Sequence, residues 1–441
     1  MTFHRMTAFF GICILLSVSA VAQVWSHTWG GSADDVSNSL AFDATRSALY
    51  AAGTTSSFGA GGNDVVLTRF TSDGTQQWAR TWGGPGDDQA FGVAIDRWSG
   101  DVYVAGETAS FGHGSKDAFL LKFDSNGRLH WARTWGTSAT EAANAVVVGP
   151  ARNIYIVGQS GNNAALVKFT PGGQLLWSRS WQGHDASSIA YGASIDRDGN
   201  ILVTGTNVGP SSPDKSLLVL KYDHEGSLLW SRQWSTTGGS YVGKSITTDA
   251  RGQIYVTGYS IASPFSSCDA PNCESAVFTA KLSSSGTRLW AKGWKISPRR
   301  DFGTDITLDR SGNVLLTGVY DQGREEEGAL LVEYDNNGNR ITSEIWLTSP
   351  FLGGRFGYTG LALDGAQNVF LGGYGTHPNG SYWFQAGIEV MVDPTSVIAA
   401  GNTGKIRGTV TTPHGLVTTP TGVLDNGAGG TDLFLQKHSP M

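Results

Sequence analysis

Along most of the chain the apolar residues come in short runs, each ending in a cluster of Gly, Asp, Asn or Ser. One stretch shows the grammar. Gln89-Ala-Phe-Gly-Val-Ala-Ile-Asp96 is followed by Gly100-Asp-Val-Tyr-Val-Ala-Gly106, then Asp117-Ala-Phe-Leu-Leu-Lys-Phe-Asp124, then Arg128-Leu-His-Trp-Ala-Arg-Thr-Trp135. The runs are rich in β-branched and aromatic residues, and the breaks Arg97-Trp-Ser-Gly and Ser125-Asn-Gly127 have turn chemistry. No sustained i, i+3, i+4 spacing follows the first residues, so amphipathic helices are not expected. The pattern predicts units of four short antiparallel strands.

The units repeat. Trp-x-x-x-Trp occurs at Trp25/Trp29, Trp78/Trp82, Trp131/Trp135, Trp177/Trp181, Trp230/Trp234 and Trp290/Trp294. Successive first tryptophans lie 53, 53, 46, 53 and 60 residues apart, and Trp346 follows Trp294 after 52 as a copy lacking its first tryptophan. A four-stranded unit with a period near 50 is a propeller blade. The fold expected is therefore all-β, a single β-propeller domain over 23–441.

Counting blades turns on the third-strand run. It recurs at 65–70, 118–123, 164–169, 217–222, 277–282, 329–334 and 387–392, with an eighth copy at Asp432-Leu-Phe-Leu-Gln-Lys437. The segment Gly408–Thr419 loosely imitates an inner hairpin ahead of that copy. Eight blades are expected on this count, with seven as the alternative if 393–441 is a degenerate tail. Val24–Trp29 is an orphan outer strand and the last unit lacks one, so the N-terminal strand is expected to close the ring in the last blade. Closure matters because an open ring exposes two apolar blade faces and a strand edge.

The repeat resembles a known family. Trp-x-Arg-Thr-Trp-Gly-Gly, then Ile-Asp-x-x-Gly-x-Val-Tyr-Val-x-Gly and Asp-Ala-Phe-Leu-x-Lys-Phe, is similar to the SBBP β-propeller repeat of bacterial exported proteins. Trp181 followed by Gln182-Gly183 and Trp294 followed by Lys295-Ile296 depart from it. The resemblance implies a propeller in an extracytoplasmic setting and no shared catalytic residues.

Other features refine this reading. His4 and Arg5 precede an apolar run from Met6 to Val18, and Ala20-Val21-Ala22 supplies small residues, so 1–22 reads as a signal peptide cleaved near Ala22-Gln23. The mature protein is expected to be secreted, at the cell surface or in the periplasm. No other stretch is long and apolar enough for a membrane span. The 31 basic and 37 acidic residues give −6, or −7 without Arg5, which offers no footprint for nucleic acid. Cys268 and Cys273 flank the turn Asp269-Ala270-Pro271-Asn272, and export makes a disulfide the default. A metal there would need two further soft ligands that are not close in sequence.

Candidate chemistry is sparse. A basic residue sits inside each tryptophan pair, namely His27, Arg80, Arg133, Arg179, Arg232 and Lys292. Positions i, i+2 and i+4 of a strand share a face, so each Trp-basic-Trp row can stack cation on indole. Two roles follow, a glycan platform or a packing row between blades, and recurrence in nearly every blade favours packing. Asp34-Asp35 and Asp87-Asp88 read as turn formers, as does Asp196-Arg-Asp-Gly-Asn200, whose calcium-loop echo breaks at Ile201. Nine histidines lie scattered without ligand spacing, and nucleophile-elbow, zinc-helix and phosphate-loop motifs are lacking. The Asp-x-x-Gly-x-x-x-Trp element loosely resembles the quinoprotein repeat, but Cys268 and Cys273 are not vicinal as that family requires. No catalytic residue, metal or other cofactor is predicted. The expectation is a monomeric binding or scaffold module for a protein or carbohydrate ligand on one propeller face. The alternative is a hydrolase or lyase with its site at the central channel mouth.

Overall fold

Short β-rich runs with turn residues between them can only bury their apolar faces by stacking sheet on sheet, and a ring of blades does so without leaving an end. The computed structural model describes residues 23–183, 187–209, 214–235, 239–261, 275–295, 300–323, 326–347, 356–375, 388–390, 395–398, 401–405, 408–413, 416–418, 423–424 and 431–439. They form seven sheets, each with four antiparallel strands running from the axis outward. Blade 1 shows the order: Asp35–Asp43, Ala48–Thr55, Asp64–Thr71 and Gln76–Gly83. The inner strands of blades 2 to 7 are Asp88–Ile95, Glu141–Val148, Ser187–Ile195, Ser240–Thr248, Arg300–Leu308 and Phe356–Leu363. Among the described residues no helix is long and apolar enough to cross a membrane.

Seven blades correct the expected eight. The run at 387–392 is not a third strand: Ile388–Val390 pairs with the outer strand of blade 5. The third strand of blade 7 is instead Asp432–His438, between Val369–Gly375 and the N-terminal strand Gln23–Gly30. The N-terminal strand is antiparallel to it, with Trp25 opposite Lys437 and Trp29 opposite Leu433. Blade 7 also packs on blade 1, where Leu40, Leu49 and Ala51 share a cluster with Ala362, Phe370, Leu433 and Leu435.

The segment that imitates an eighth blade is a belt. Six short strands add a fifth strand to six blades in reverse ring order: Ile388–Val390 on blade 5, Thr395–Ile398 on 4, Gly401–Gly404 on 3, Thr409–Thr411 on 2, Leu416–Thr418 on 1 and Val423–Leu424 on 7. The register is regular. Residues 389, 396, 403, 410, 417 and 424 lie opposite Trp294, Trp234, Trp181, Trp135, Trp82 and Trp29, so one blade corresponds to seven residues. Glycine at 401, 408, 415 and 422 marks the same step in the sequence. At Gly408 a Cβ would lie 2.2 Å from Trp135 Nε1, so only glycine lets the belt lie on the indole. The belt occupies outer edges that would otherwise be open to strand addition.

Candidate functional site

The tryptophan rows face the next blade. Trp29, Trp82, Trp135, Trp181, Trp234 and Trp294 are fully buried, while Trp25, Trp78, Trp131, Trp177, Trp230 and Trp290 are half-buried. Trp78 Nε1 donates to Ser125 O at 3.2 Å and Arg80 Nε donates to Gly127 O at 3.0 Å, both in the outer turn of blade 2. Arg133 Nε to Gly173 O at 3.0 Å and Arg179 Nε to Gly226 O at 2.9 Å repeat the arrangement. Arg232 reaches Ser285 O at 2.8 Å through its terminal nitrogen, and Trp290 Nε1 donates to Asn336 O at 3.1 Å. The guanidinium carbons of Arg80, Arg133, Arg179 and Arg232 stand 5.4, 5.4, 4.8 and 5.3 Å from the centroids of the first indoles. His27 stacks on Trp25 at 5.1 Å, and a Cβ on Gly338 of the next turn would sit 3.2 Å from the Lys292 stem. The polar ends of Trp78, Arg80, Arg133, Arg179, Arg232 and Trp290 are turned toward backbone of the next blade. The indole nitrogens of the six fully buried tryptophans find no hydrogen-bond partner among the described residues. Cys268 and Cys273, residues 1–22 and most of the stretches 259–276 and 374–385 lie outside the described residues.

The acidic turns are built in pairs that the sequence did not reveal. Asp88 Oδ2 accepts from Gly84 N at 2.8 Å and from Ser110 Oγ at 2.7 Å; Asp35 does the same with Gly31 and Ser57. Opposite Asp88 stands Asp64, and the two carboxylates lie 2.7 and 1.8 Å from the point a Gly83 Cβ would occupy. Asp117 with Glu141 at Gly136, and Asp432 with Asp35 at Gly30, repeat the pair at the neighbouring junctions. Burial pushes the Asp64 carboxyl up to about 6, with the nearby Asp88 charge adding to it. Asp196 Oδ1 accepts from Asp198 N and Asn200 N, each at 2.9 Å, and its Oδ2 accepts from Asn200 Nδ2 at 3.0 Å and meets Lys221 Nζ at 2.8 Å. A lysine thus stands where the calcium-loop echo would need a cation. Among the described residues no three His, Cys, Asp or Glu side chains gather as a metal site would require.

Among the described residues the axis holds an arrangement suited to a ligand. Each inner strand slips register by one residue, at Asn38, Phe91, Asn144, Tyr191, Lys244, Thr304 and Thr359. A bulge turns its extra side chain out of the ladder, here toward the lumen. The second-strand glycine of every blade makes room for it: a Cβ at Gly106 would stand 1.8 Å from Gln89 O, just before the bulge. That glycine, the last residue of Val-Tyr-Val-Ala-Gly106, was the available sequence signal. The seven bulges line a cavity of about 440 Å³, within the range of small-ligand sites.

Four of the seven latch blade to blade. Asn38 Nδ2 donates to Ala90 O at 2.8 Å, Asn144 Nδ2 to Ala190 O at 2.7 Å, Thr304 Oγ1 to Tyr358 O at 2.7 Å, and Thr359 Oγ1 to Ser37 O. Asp305, next to a bulge, is also a latch: its carboxylate accepts from Ser245 Oγ at 2.7 Å, Ile306 N at 2.9 Å and Leu361 N at 2.9 Å. Burial pushes its carboxyl up to about 6. Phe91, Tyr191 and Lys244 form no such latch. Lys244 Nζ lies 4.0 Å from the centroid of the Tyr191 ring, and burial, with Lys215 nearby, brings its amine down to about 8.

The likenesses to known proteins agree with this architecture. A polysaccharide lyase of family PL25, an ulvan lyase solved with -[GlcA(1-4)Rha3S]-, superposes with a TM-score of 0.51 at 12% identity, covering 78% of this chain and 92% of the lyase. The Synechocystis apocarotenoid oxygenase covers 90% of this chain and 96% of its own at 11% identity, with a TM-score of 0.41. A gluconolactonase from Xanthomonas campestris reaches a TM-score of 0.35 at 11% identity, over 66% and 85% of the two chains. At such identities the likeness is one of fold alone. No curated protein sequence matches the chain. Residues 229–266 match the SBBP β-propeller repeat, so this seven-bladed chain carries a repeat of the SBBP type.

Proposed function

We propose that the protein is an exported binding module that takes part of a glycan ligand into its central channel. The observation that carries this reading is the contrast between rim and axis. The Trp-basic-Trp rows stack cation on indole within the row and donate hydrogen bonds to backbone of the adjacent blade. The axis keeps a roughly 440 Å³ cavity lined by hydroxyls, amides, Phe91, Tyr191 and an amine. Aromatic surface beside a few convergent polar groups is the composition of a small-ligand site. In this proposal the signal segment 1–22 is removed, Gln23–Gly30 locks blade 7 as its outer strand, and Cys268 is joined to Cys273. The protein acts as a monomer, because the belt leaves few sheet edges for a second copy.

The test is an oligosaccharide array with protein beginning at Gln23, followed by titration of each hit against Phe91→Ala. Affinity that falls about tenfold or more supports the channel, since an aromatic contact of this kind contributes roughly 1–3 kcal/mol. Hits indifferent to Phe91→Ala and to other lumen variants would move the site to a loop face, where a protein ligand becomes the better reading. A second reading, a hydrolase or lyase at the same mouth, draws on one observation. An amine brought down to about 8 is within reach of general-base work near neutrality. Shortened products after incubation, absent with Lys244→Met, would decide for it.

A further inference from the structure

Lys244 stands out among the groups the blade architecture does not use. Among the described channel-lining residues it is the only cation, in a chain of net charge −6. Its side chain leaves an inner-strand bulge of blade 5 and lies over Tyr191, the bulge residue of blade 4. Among the described residues no carboxylate stands within ion-pair distance of it. Asp305, the only acid lining the cavity, already accepts three hydrogen bonds from Ser245, Ile306 and Leu361. A mostly buried ammonium is costly unless something neutralises it. The Tyr191 ring face offsets only a small part of that cost.

We propose that the group a ligand inserts into the channel is an anion, the carboxylate or sulfate of an acidic sugar, held on Lys244 Nζ with the sugar body against Phe91 and Tyr191. This rests on the channel reading above and gives it a substrate class. The chemistry agrees with the setting: an anion restores the charge balance Lys244 lacks, and the lumen hydroxyls and backbone groups suit sugar hydroxyls. Other titratable or charged groups around the amine are Tyr191 and Lys215 on blade 4, Tyr259 on its own blade and Asp305 on blade 6. Lys215 adds positive charge on the same side, which strengthens the preference for an anion.

The probes are trigalacturonate, its methyl ester and a sulfated galactose trisaccharide, titrated by calorimetry into wild type, Lys244→Met and Lys244→Arg. The acid should bind about tenfold or more tightly than the ester, the scale of one charge-assisted contact. Lys244→Met should erase that difference, Lys244→Arg should keep it, and acid affinity should fall as pH rises past about 8. The sulfated sugar separates the two sources: whichever anion loses more affinity in Lys244→Met is the one the site takes. Equal binding of acid and ester, unchanged in Lys244→Met, would overturn the anion assignment and leave the channel reading standing. Failure of every sugar, charged or neutral, would overturn both. A glutamate-rich peptide that binds through Lys244 while the sugars do not would overturn the sugar part of the proposal. Unliganded melting temperatures of the variants show that each is folded.

Discussion

The junctions between blades are of at least two kinds, acid-paired and neutral, and the two hold the same contact in different ways. Between blades 7 and 1, 1 and 2, and 2 and 3, the glycine after the buried tryptophan is flanked by Asp432 and Asp35, Asp64 and Asp88, or Asp117 and Glu141. Between blades 3 and 4 the equivalent inner-strand residue is Ser188. It accepts from Gly183 N at 3.4 Å and donates to Asn207 Oδ1 at 2.7 Å, with no acid in the contact. The tryptophans beside them, Trp135 and Trp181, are equally buried. Apolar burial therefore sets the geometry of a junction, and its polar cap can be ionic or neutral without changing the backbone. What the charge changes is the response to pH.

That contrast can be broken at several levels. The largest effect is expected from deleting 23–30, which removes the fourth strand of blade 7 and Trp29 from an acid-paired junction. The product should aggregate or lose its cooperative melting transition; a monomer melting at the wild-type temperature would show that this strand does not lock the ring. Next come Trp135→Ala at an acid-paired junction and Trp181→Ala at the neutral one. Each should cost about 3–5 kcal/mol in denaturant titration, because each deletes a fully buried indole. Near-wild-type stability in either protein would reopen the rim as a ligand platform. Arg133→Met keeps the aliphatic stem and should cost about 1 kcal/mol.

Smaller effects sharpen the comparison. Asp64 titrates near 3.8 when unfolded and about 6 when folded, so the fold favours its protonated form. Its contribution is fully present below pH 3.8 and is lost as pH rises through about 6. Asp64→Asn should accordingly match wild type at pH 4 and exceed it at pH 8 in melting temperature. A uniform loss at both values would mean that the carboxylate is favourable in its ionised form. Last is Gly408→Ala, which presses a methyl against Trp135 Nε1 and should cost about 1 kcal/mol, the low end of overpacking, because the belt lies on an outer edge. No change in stability would show that the belt lifts off blade 2 without consequence.

Much of this was legible before any coordinates. The strand runs, the turns and the pairing of Trp78 with Arg80 and Trp82 on one face follow from a period of two and from side-chain size, which are local properties. The repeat implied blades because a single four-stranded unit cannot bury both faces alone. The blade count went astray where local resemblance outran tertiary use. Residues 387–392 have strand composition, and in the ring such a run serves as an edge strand on blade 5, while Asp432–His438 takes the place assigned to it. The seven-residue glycine step was present in the sequence, yet its meaning depends on blade spacing at the rim.

The site itself was not legible, for a physical reason. Residues that meet at the axis come one from each blade, so Tyr191 and Lys244 are 53 positions apart in the chain and in contact between adjacent blades at the lumen. The sequence by itself determined strands, turns and the repeat, because each depends on neighbours within a single blade, and it marked the tryptophans whose burial the next blade then supplies. Tertiary structure alone decided that seven blades close the circle, that strands between 388 and 424 edge six of them, and that Lys244 faces a cavity where no carboxylate among the described residues pairs with it. Those outcomes depend on how many units complete a turn and on which side chains the bulges turn inward. Both are fixed only when the ring forms.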